Sequence, residues 1–315
     1  MKAIVHRRYG PSEGLRLEEI EQPEVGDDDV LVRVRAVGIN PVDWHTMRGT
    51  PRIARLAFGL TRPKQLVTGV DLAGVVEEVG ANVTALRPGD EIFGARSGSL
   101  AEYVVGGKNL IPKPAGLSFE QAGAVAVAGS TALQALRDRA HLQAGQRVLI
   151  NGAAGGVGTF AVQIAKSFGA HVTGVCSTGN VELVRSLGAD DVVDYTVEDF
   201  TRAATPYDVV LDLIGNHSPA KIRRILTPRG TAVFIGGEAG MRRVLAMLVL
   251  NVFVGQHLLT FVAKINADDL ASLGELMESG KVTSVIDRTY PLSEAGEAMR
   301  YLEAGHARGK VVVTV

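Results

Sequence analysis

The sequence predicts an α/β protein in which a doubly wound parallel sheet is joined to a second, β-rich domain. Three observations carry this. Short apolar and β-branched runs bounded by Gly, Pro and Asp fill the first 110 residues. From about Ala122 onward, apolar strand runs alternate with helical patterns. A glycine-rich stretch, Gly152-Ala153-Ala154-Gly155-Gly156-Val157-Gly158, sits between one such strand and the helix that follows it.

Taken in order, the β-rich part is typified by Val30 to Val37, and Arg87-Pro88-Gly89-Asp90 reads as a turn. Strands are then expected at Arg147–Asn151, His171–Cys176, Asp191–Asp194, Asp208–Leu213, Thr231–Ile235 and Leu258–Val262. Helices are expected at Val157–Phe168, Asn180–Leu187, Pro219–Leu226, Met241–Val254 and Ala267–Ser279. Strands separated by helices in this way predict a parallel sheet with helices on both faces. The tail adds a helix, Ser293–Glu303, and a last strand, Lys310–Val315. That strand is apolar and needs a sheet partner. The N-terminal β-rich region is the natural one, which makes the second domain discontinuous.

Composition narrows the function. At 315 residues, 46% hydrophobic and 21% charged, the chain has the make-up of a two-domain globular enzyme. A formal net charge of −1 leaves no electrostatic footprint for nucleic acid or anionic lipid, and 5% aromatics leave no stacking platform. The single cysteine, Cys176, excludes an intrachain disulfide. The start, MKAIVHRRYG, lacks the apolar region of a secretory signal, so a cytoplasmic location is expected. The most apolar stretch, Val244 to Val262, is interrupted by Gly255-Gln256-His257 and falls short of the roughly 20 residues a spanning helix needs.

The glycine-rich stretch is where chemistry first appears. Glycines after a strand allow a tight turn, close approach of backbone to a pyrophosphate, and close helix–strand packing. The helix N-terminus adds N–H groups and a positive dipole end. Ala154, Gly155, Gly156, Val157 and Gly158 are therefore candidate contacts of a dinucleotide. At the end of the second strand an acidic residue would select NAD. The chain instead reads Cys176-Ser177-Thr178-Gly179-Asn180, with no carboxylate before Glu182, so NADPH is expected. Ser177, Thr178 and Arg185 are the groups available to its extra phosphate.

With Gly38-Ile39-Asn40-Pro41-Val42-Asp43 and Gly69-Val70-Asp71-Leu72-Ala73-Gly74, these residues resemble the medium-chain dehydrogenase/reductase superfamily over essentially the whole chain. The resemblance is greatest to its quinone oxidoreductase branch, including zeta-crystallin-like and reticulon-interacting oxidoreductases. It implies a Rossmann domain at 123–282 and a GroES-like, partly open β-barrel built from 1–122 and 283–315, with the active site in the cleft between them. It also implies that Asn40 lies near the nicotinamide ribose or the substrate, and that Thr131 contacts the nicotinamide end. Tyr195, like Ser177, is implied to face the adenosine phosphate. Gly215, Asn216, Gly236 and Gly237 are implied to border the cofactor, and His306, Ala307 and Arg308 to form a C-terminal cofactor contact. Dimers joined through the sixth strand are usual in the branch, so a homodimer is expected.

Zinc is not expected. The superfamily's zinc enzymes place a Cys beside the Gly38–Asp43 segment and a His after Gly69, where this chain has Asn40-Pro41 and Val70-Asp71. Residues 90–105 contain no Cys for a structural site. Without those ligands there is no Lewis acid to acidify an alcohol. Hydride transfer to an acceptor that is already electrophilic is what fits: first a quinone, alternatively an α,β-unsaturated carbonyl. A non-catalytic NADPH-binding sensor is the third possibility. Asn40 and His45 are the polar groups available to an acceptor oxygen that gains negative charge, with His45 also a candidate proton donor. The tyrosine that the superfamily's enoyl-thioester reductases carry after Arg48-Gly49 is replaced by Thr50-Pro51-Arg52, which argues against acyl-thioesters.

Overall fold

The structure, a computed structural model, describes every residue except 53–54, 236–245, 249 and 252–253. The chain divides into two compact units. Met1–Ser130, Ile265–Gly280 and Ser284–Val315 form the first; Thr131–Lys264 and Lys281–Thr283 form the second.

The first unit opens with β1 (Lys2–Val5), β2 (Arg16–Glu19), β3 (Val30–Ile39), α1 (Pro41–Arg48) and α2 (Arg55–Phe58). It continues through β4 (Asp71–Val79), β5 (Glu91–Ala95), β6 (Tyr103–Gly106), β7 (Leu110–Pro112) and α3 (Phe119–Gly123). Helix α4 (Ala126–Gln134) spans the boundary between the units. The second unit holds β8 (Arg147–Asn151), α5 (Gly156–Ser167), β9 (His171–Cys176), α6 (Val181–Ser186), β10 (Asp191–Asp194), β11 (Tyr207–Asp212), α7 (Pro219–Arg223), β12 (Leu226–Phe234) and β13 (His257–Thr260). The chain then returns to the first unit with α8 (Ala267–Glu278), β14 (Ile286–Pro291), α9 (Ala295–Glu303) and β15 (Lys310–Thr314).

The second unit is the expected parallel sheet, in the order β10-β9-β8-β11-β12-β13. All its pairings are parallel. The chain builds outward from β8, first through β9 and β10 and then, on the other side, through β11 to β13. That reversal is a topological switch point, and in such sheets ligands bind at the carboxyl ends of the strands beside it. Its core includes Leu149, Val175, Val210, Ile222, Ala232 and Phe234. Helix α5 buries Phe160, Val162, Ile164 and Ala165 and packs on β8 and β9. Strand β12 starts five residues earlier than expected because Pro228-Arg229-Gly230, which reads as a turn, forms an irregularity inside the strand where it pairs β11. The expected helix Met241–Val254 lies partly outside the described residues, which are helical at 246–248 and 250–251.

The first unit is built on a mixed, mostly antiparallel sheet of order β14-β15-β3-β4-β5-β7, with β6 also pairing β3. It is the GroES-like sheet the resemblance implied, and the tail strand finds its partner in β3, with Val311 opposite Ile39 and Val313 opposite Val37. Val32, Ile39, Leu72, Ile92, Leu100, Met299 and Val311 are among the side chains of its core. Among the described residues, no helix is long and apolar enough to cross a membrane.

Candidate functional site

In the second unit, the turn after β8 depends on two of its glycines. Gly152 has φ +90°, and a side chain there would also press on Ile214. At Gly158 a Cβ would lie 2.1 Å from the carbonyl oxygen of Gly152, closer than any side chain tolerates. Gly158 therefore lets the first turn of α5 fold back against the loop. The N–H groups of Gly152 and Ala153 both donate to the Val175 carbonyl (3.1 and 3.0 Å), which fastens the loop to β9. Gly155 caps α5 without a side-chain hydrogen bond, and its first turn carries no acidic residue. An uncapped helix start beside a glycine cradle fits a phosphate group.

The loop after β11 is fastened to β8 from below. Asp212, fully buried, accepts hydrogen bonds through Oδ1 from Asn151 Nδ2 (2.8 Å), Gly215 N (2.9 Å) and Ile214 N (3.3 Å). Asn151 also donates to Asn216 Oδ1 at 3.1 Å. Gly215 and Asn216 are thus held at the carboxyl end of β11, beside the glycine turn. The anchors Asn151 and Asp212 were not singled out in the sequence, although a polar residue ending each of two neighbouring apolar strands is the signal that points to them.

Ser177 and Thr178 follow β9, and Tyr195 follows β10. Ser177 Oγ accepts from Asn180 Nδ2 (3.1 Å), and Tyr195 is more exposed than buried, at 58%. Arg185 is paired with Glu182 (2.8 Å) one helical turn away, both well exposed, so the pair is weak. The parallel register sets Asp194 opposite Cys176 and so brings a carboxylate to this corner. Its Oδ1 accepts from Thr196 N (2.9 Å) and Thr196 Oγ1 (2.8 Å), and Thr178 and Thr196 share a hydroxyl contact at 3.0 Å. Hydroxyl bonding, led by Thr178, holds Asp194 below the usual carboxylate range. Proximity along the chain hid this acid, because it arrives from the neighbouring strand. An open groove of about 350 Å³ adjoins it, lined by Tyr195, Thr196, Asp199, Phe200, Asn216 and His217. Thr131 is buried in α4. Gly236 and Gly237 lie outside the described residues.

In the first unit, Asn40 is the N-cap of α1 and is buried. Its backbone N–H donates to Asp43 Oδ2 (2.7 Å), the half of a capping box that anchors the helix start. Nδ2 donates to the Gly38 carbonyl (3.0 Å), and Oδ1 receives a 2.5 Å hydrogen bond from Lys310 Nζ. Lys310 also donates to the Ile39 carbonyl (3.3 Å) and to Asp71 Oδ2 (3.2 Å). Asp71 Oδ1 accepts from Val127 N at 2.8 Å. Burial pushes the Asp71 carboxyl up against the opposing pull of Lys310. Burial likewise pushes Asp43 up to about 7, helped by Asp71 and opposed by the Asn40 N–H and Lys310. Its Oδ1 is buried with no hydrogen-bond partner among the described residues.

His45, one turn into α1, stacks on Trp44 with ring centroids 3.7 Å apart, and its Nδ1 lies 3.3 Å from Thr50 Oγ1. His306, Ala307 and Arg308 form the turn between α9 and β15; Arg308 N donates to Asp287 Oδ2 (3.0 Å).

These donors do not suit a zinc ion. At Asn40 and Asp71 the oxygens that face inward are already bonded to the Lys310 ammonium, and Val70 offers no ligand. Among the described residues, no group of three or more His, Cys, Asp or Glu is arranged to hold a metal.

Two family models match the chain: an alcohol dehydrogenase GroES-like domain over residues 26–115 and a zinc-binding dehydrogenase over residues 187–313. The chain is 38% identical to the NADPH-dependent alkenal/one oxidoreductase, chloroplastic, of Arabidopsis thaliana, over 99% of this chain and 79% of that protein. It is 34% identical to the mitochondrial NAD(P)H oxidoreductase RTN4IP1 of Bos taurus, over 100% of this chain and 89% of that protein. Among solved structures, the quinone oxidoreductase from Coxiella burnetii superposes with a TM-score of 0.90 at 33% identity, covering 100% of this chain and 99% of that one.

Proposed function

Because the chain belongs to the medium-chain dehydrogenase/reductase superfamily, in its branch of NAD(P)H-dependent quinone oxidoreductases and alkenal reductases, we propose that it is a zinc-independent, NADPH-dependent reductase of quinones. The observation that supports this reading most is the strand–turn–helix at Asn151 to Gly158, where a glycine cradle meets an uncapped helix. Ala154, Gly155, Gly156, Val157 and Gly158 hold the pyrophosphate through backbone N–H groups. Ser177 and Thr178 offer hydroxyls to the 2′-phosphate, with Arg185 and Tyr195 beside them. Asp194 opposes that phosphate, so the preference for NADPH over NADH is moderate rather than absolute.

Bound NADPH supplies the hydride. Asn40 offers an N–H to the acceptor oxygen as negative charge develops on it, and such a donor counts most where water is excluded. His45 delivers the proton that completes the reduction. Thr131, Gly215, Asn216, Gly236 and Gly237 orient the cofactor, and His306, Ala307 and Arg308 contact it from the C-terminal turn. The domains in this reading are 1–122 with 283–315 and 123–282, and the location is cytoplasmic. A second reading, reduction of α,β-unsaturated carbonyls, is favoured by the 38% identity to an alkenal/one oxidoreductase.

Steady-state assays with NADPH and NADH against a quinone panel and an enone panel separate these readings. Faster turnover of quinones with NADPH is expected. Strong enone turnover with no quinone signal reverses the order, and no turnover of either panel retires both. Near-stoichiometric zinc in the purified protein, lost together with activity, sinks zinc independence.

A further inference from the structure

We propose that Asp287 is the positioning residue of the C-terminal cofactor contact: it fixes the backbone of Arg308 and so aims the Arg308 and His306 side chains at bound NADPH. The inference rests on the reading of His306, Ala307 and Arg308 as a contact of that cofactor.

The placement of Asp287 follows from a break in register. Strands β14 and β15 run parallel, with Ile286 opposite Lys310 and Arg288 opposite Val311. Two steps of β14 therefore match one step of β15, and Asp287 is the extra residue. A β-bulge of this kind re-aims a side chain that a regular ladder would fix. Here the half-buried carboxylate reaches the turn that leads from α9 into β15. Its Oδ2 accepts from Tyr301 Oη (2.7 Å) on α9 and from Arg308 N (3.0 Å). The bond to Asp287 leads the causes that raise the Tyr301 pKa, so this hydroxyl keeps its proton and stays a donor. The Arg288 guanidinium, 4.2 Å from the centre of the Tyr301 ring, adds a cation–π contact that steadies the same side chain.

The ends of the turn are held by backbone alone. Gly305 N donates to Leu302 O (3.0 Å), and Lys310 N donates to Val285 O (2.7 Å). At Gly309, with φ +83°, a side chain would collide with the Val285 carbonyl, so the exit from the turn requires glycine. Between these ends, Arg308 N is held by the Asp287 side chain. Ala307 packs against the core of the unit, while His306 and Arg308, on either side of it, are exposed. Among the described residues, neither of those two side chains has a hydrogen-bond or ion-pair partner. An unpaired guanidinium suits the phosphate oxygens of a dinucleotide. Because the backbone already closes the turn, what the carboxylate adds is the direction of its middle.

The test uses the full chain with Asp287→Ala, Arg308→Ala, His306→Ala and the double variant of Asp287→Ala with Arg308→Ala. Backbone amide exchange is the first readout. Asp287→Ala is expected to accelerate exchange at Arg308 roughly tenfold or more. The Lys310 amide, held by Val285, is expected to stay within about twofold of wild type. An unchanged Arg308 amide overturns the proposal. Equal acceleration at both amides also overturns it, because the carboxylate would then be a general anchor of the turn. The second readout is NADPH affinity by fluorescence titration, with steady-state kinetics alongside. Asp287→Ala is expected to weaken binding roughly fivefold and to raise the KM for NADPH to match, with kcat changed less than about twofold. Arg308→Ala is expected to weaken binding at least as much. In that background Asp287→Ala is expected to cost less than about twofold more, since residues that act together do not add. Full additivity, or a loss confined to kcat, overturns the proposal. If His306→Ala and Arg308→Ala both bind NADPH like wild type, the turn is no cofactor contact, and that reading fails together with the proposal. If either weakens binding and Asp287→Ala does not, the proposal alone fails. Should Asp287→Ala not fold, Asp287→Ser, whose shorter side chain does not reach Arg308 N, takes its place in both readouts.

Discussion

Asp43 ties the start of α1 to the pH of the solution. Its folded pKa, about 7, stands well above the ordinary aspartate value of 3.8 because burial penalises the charge. A raised folded pKa means that the unfolded chain releases this proton first. The contribution of Asp43 to stability is therefore complete below about pH 4 and is lost as pH rises through about 7. His6 has the opposite sign. Burial lowers its pKa, so it costs stability as pH falls below 6.5. Only a comparison of variants isolates Asp43. Asp43→Asn keeps an acceptor for the Asn40 N–H and removes the titration. Between pH 5 and pH 8 the wild type is expected to lose several degrees of Tm relative to this variant; parallel Tm curves would refute the assignment. Gly158 is a residue of a different kind, important for what it lacks. Gly158→Ala places a methyl 2.1 Å from the Gly152 carbonyl and forces the loop off α5. The expected cost is about 1–3 kcal/mol of stability, together with at least tenfold weaker NADPH binding in a fluorescence titration. Binding within twofold of wild type would show that the turn does not hold the cofactor.

Among the elements, the loop after β11 shows how a strand end becomes a binding edge. Asp212 satisfies two loop N–H groups and the Asn151 amide with one oxygen. Asp212→Ala removes the acceptor those donors share, at a cost of about 1–3 kcal/mol, and the amides of Ile214 and Gly215 are expected to exchange much faster than in wild type. Protection equal to wild type at both would mean that the loop is held by something else. This network also marks what could be read in advance. Strands Arg147–Asn151, His171–Cys176 and Asp191–Asp194 were legible to the residue, because each is a short run with an apolar or β-branched centre bounded by turns. So was the turn between β8 and α5, because its chemistry is local. Asp194, Asp212 and Lys310 were not, since each acts through a neighbour in the sheet that only register reveals. Lys310 looked like an ordinary polar residue leading into an apolar strand. The extra length of β12 was hidden for a related reason: Pro228-Arg229-Gly230 carries turn residues, and pairing with β11 overrides them.

At the scale of the molecule, the parallel sheet ends, among the described residues, at β13. Strand β13 pairs β12 on one side, with Ala232 opposite Leu258 and Phe234 opposite Thr260. Edge strands are templates for further pairing, and proteins blunt them with charge, proline or a cover. The sequence His257-Leu258-Leu259-Thr260-Phe261-Val262 carries none of the blunting residues, and Val262 stands 88% exposed. A second copy meeting this edge in a two-fold arrangement would continue the sheet and cover that apolar end, since a two-fold interface places the same patch on both partners. Light scattering at micromolar concentration is accordingly expected to give twice the 33.3 kDa of one chain. Val262→Asp alters a side chain that is solvent-exposed in the single chain, so it should leave Tm nearly unchanged at low concentration. It puts a charge into the apolar end that the joined edges would cover and is expected to give the mass of a single chain. A dimer that survives Val262→Asp would move the interface elsewhere, and a wild type of single-chain mass would remove it altogether.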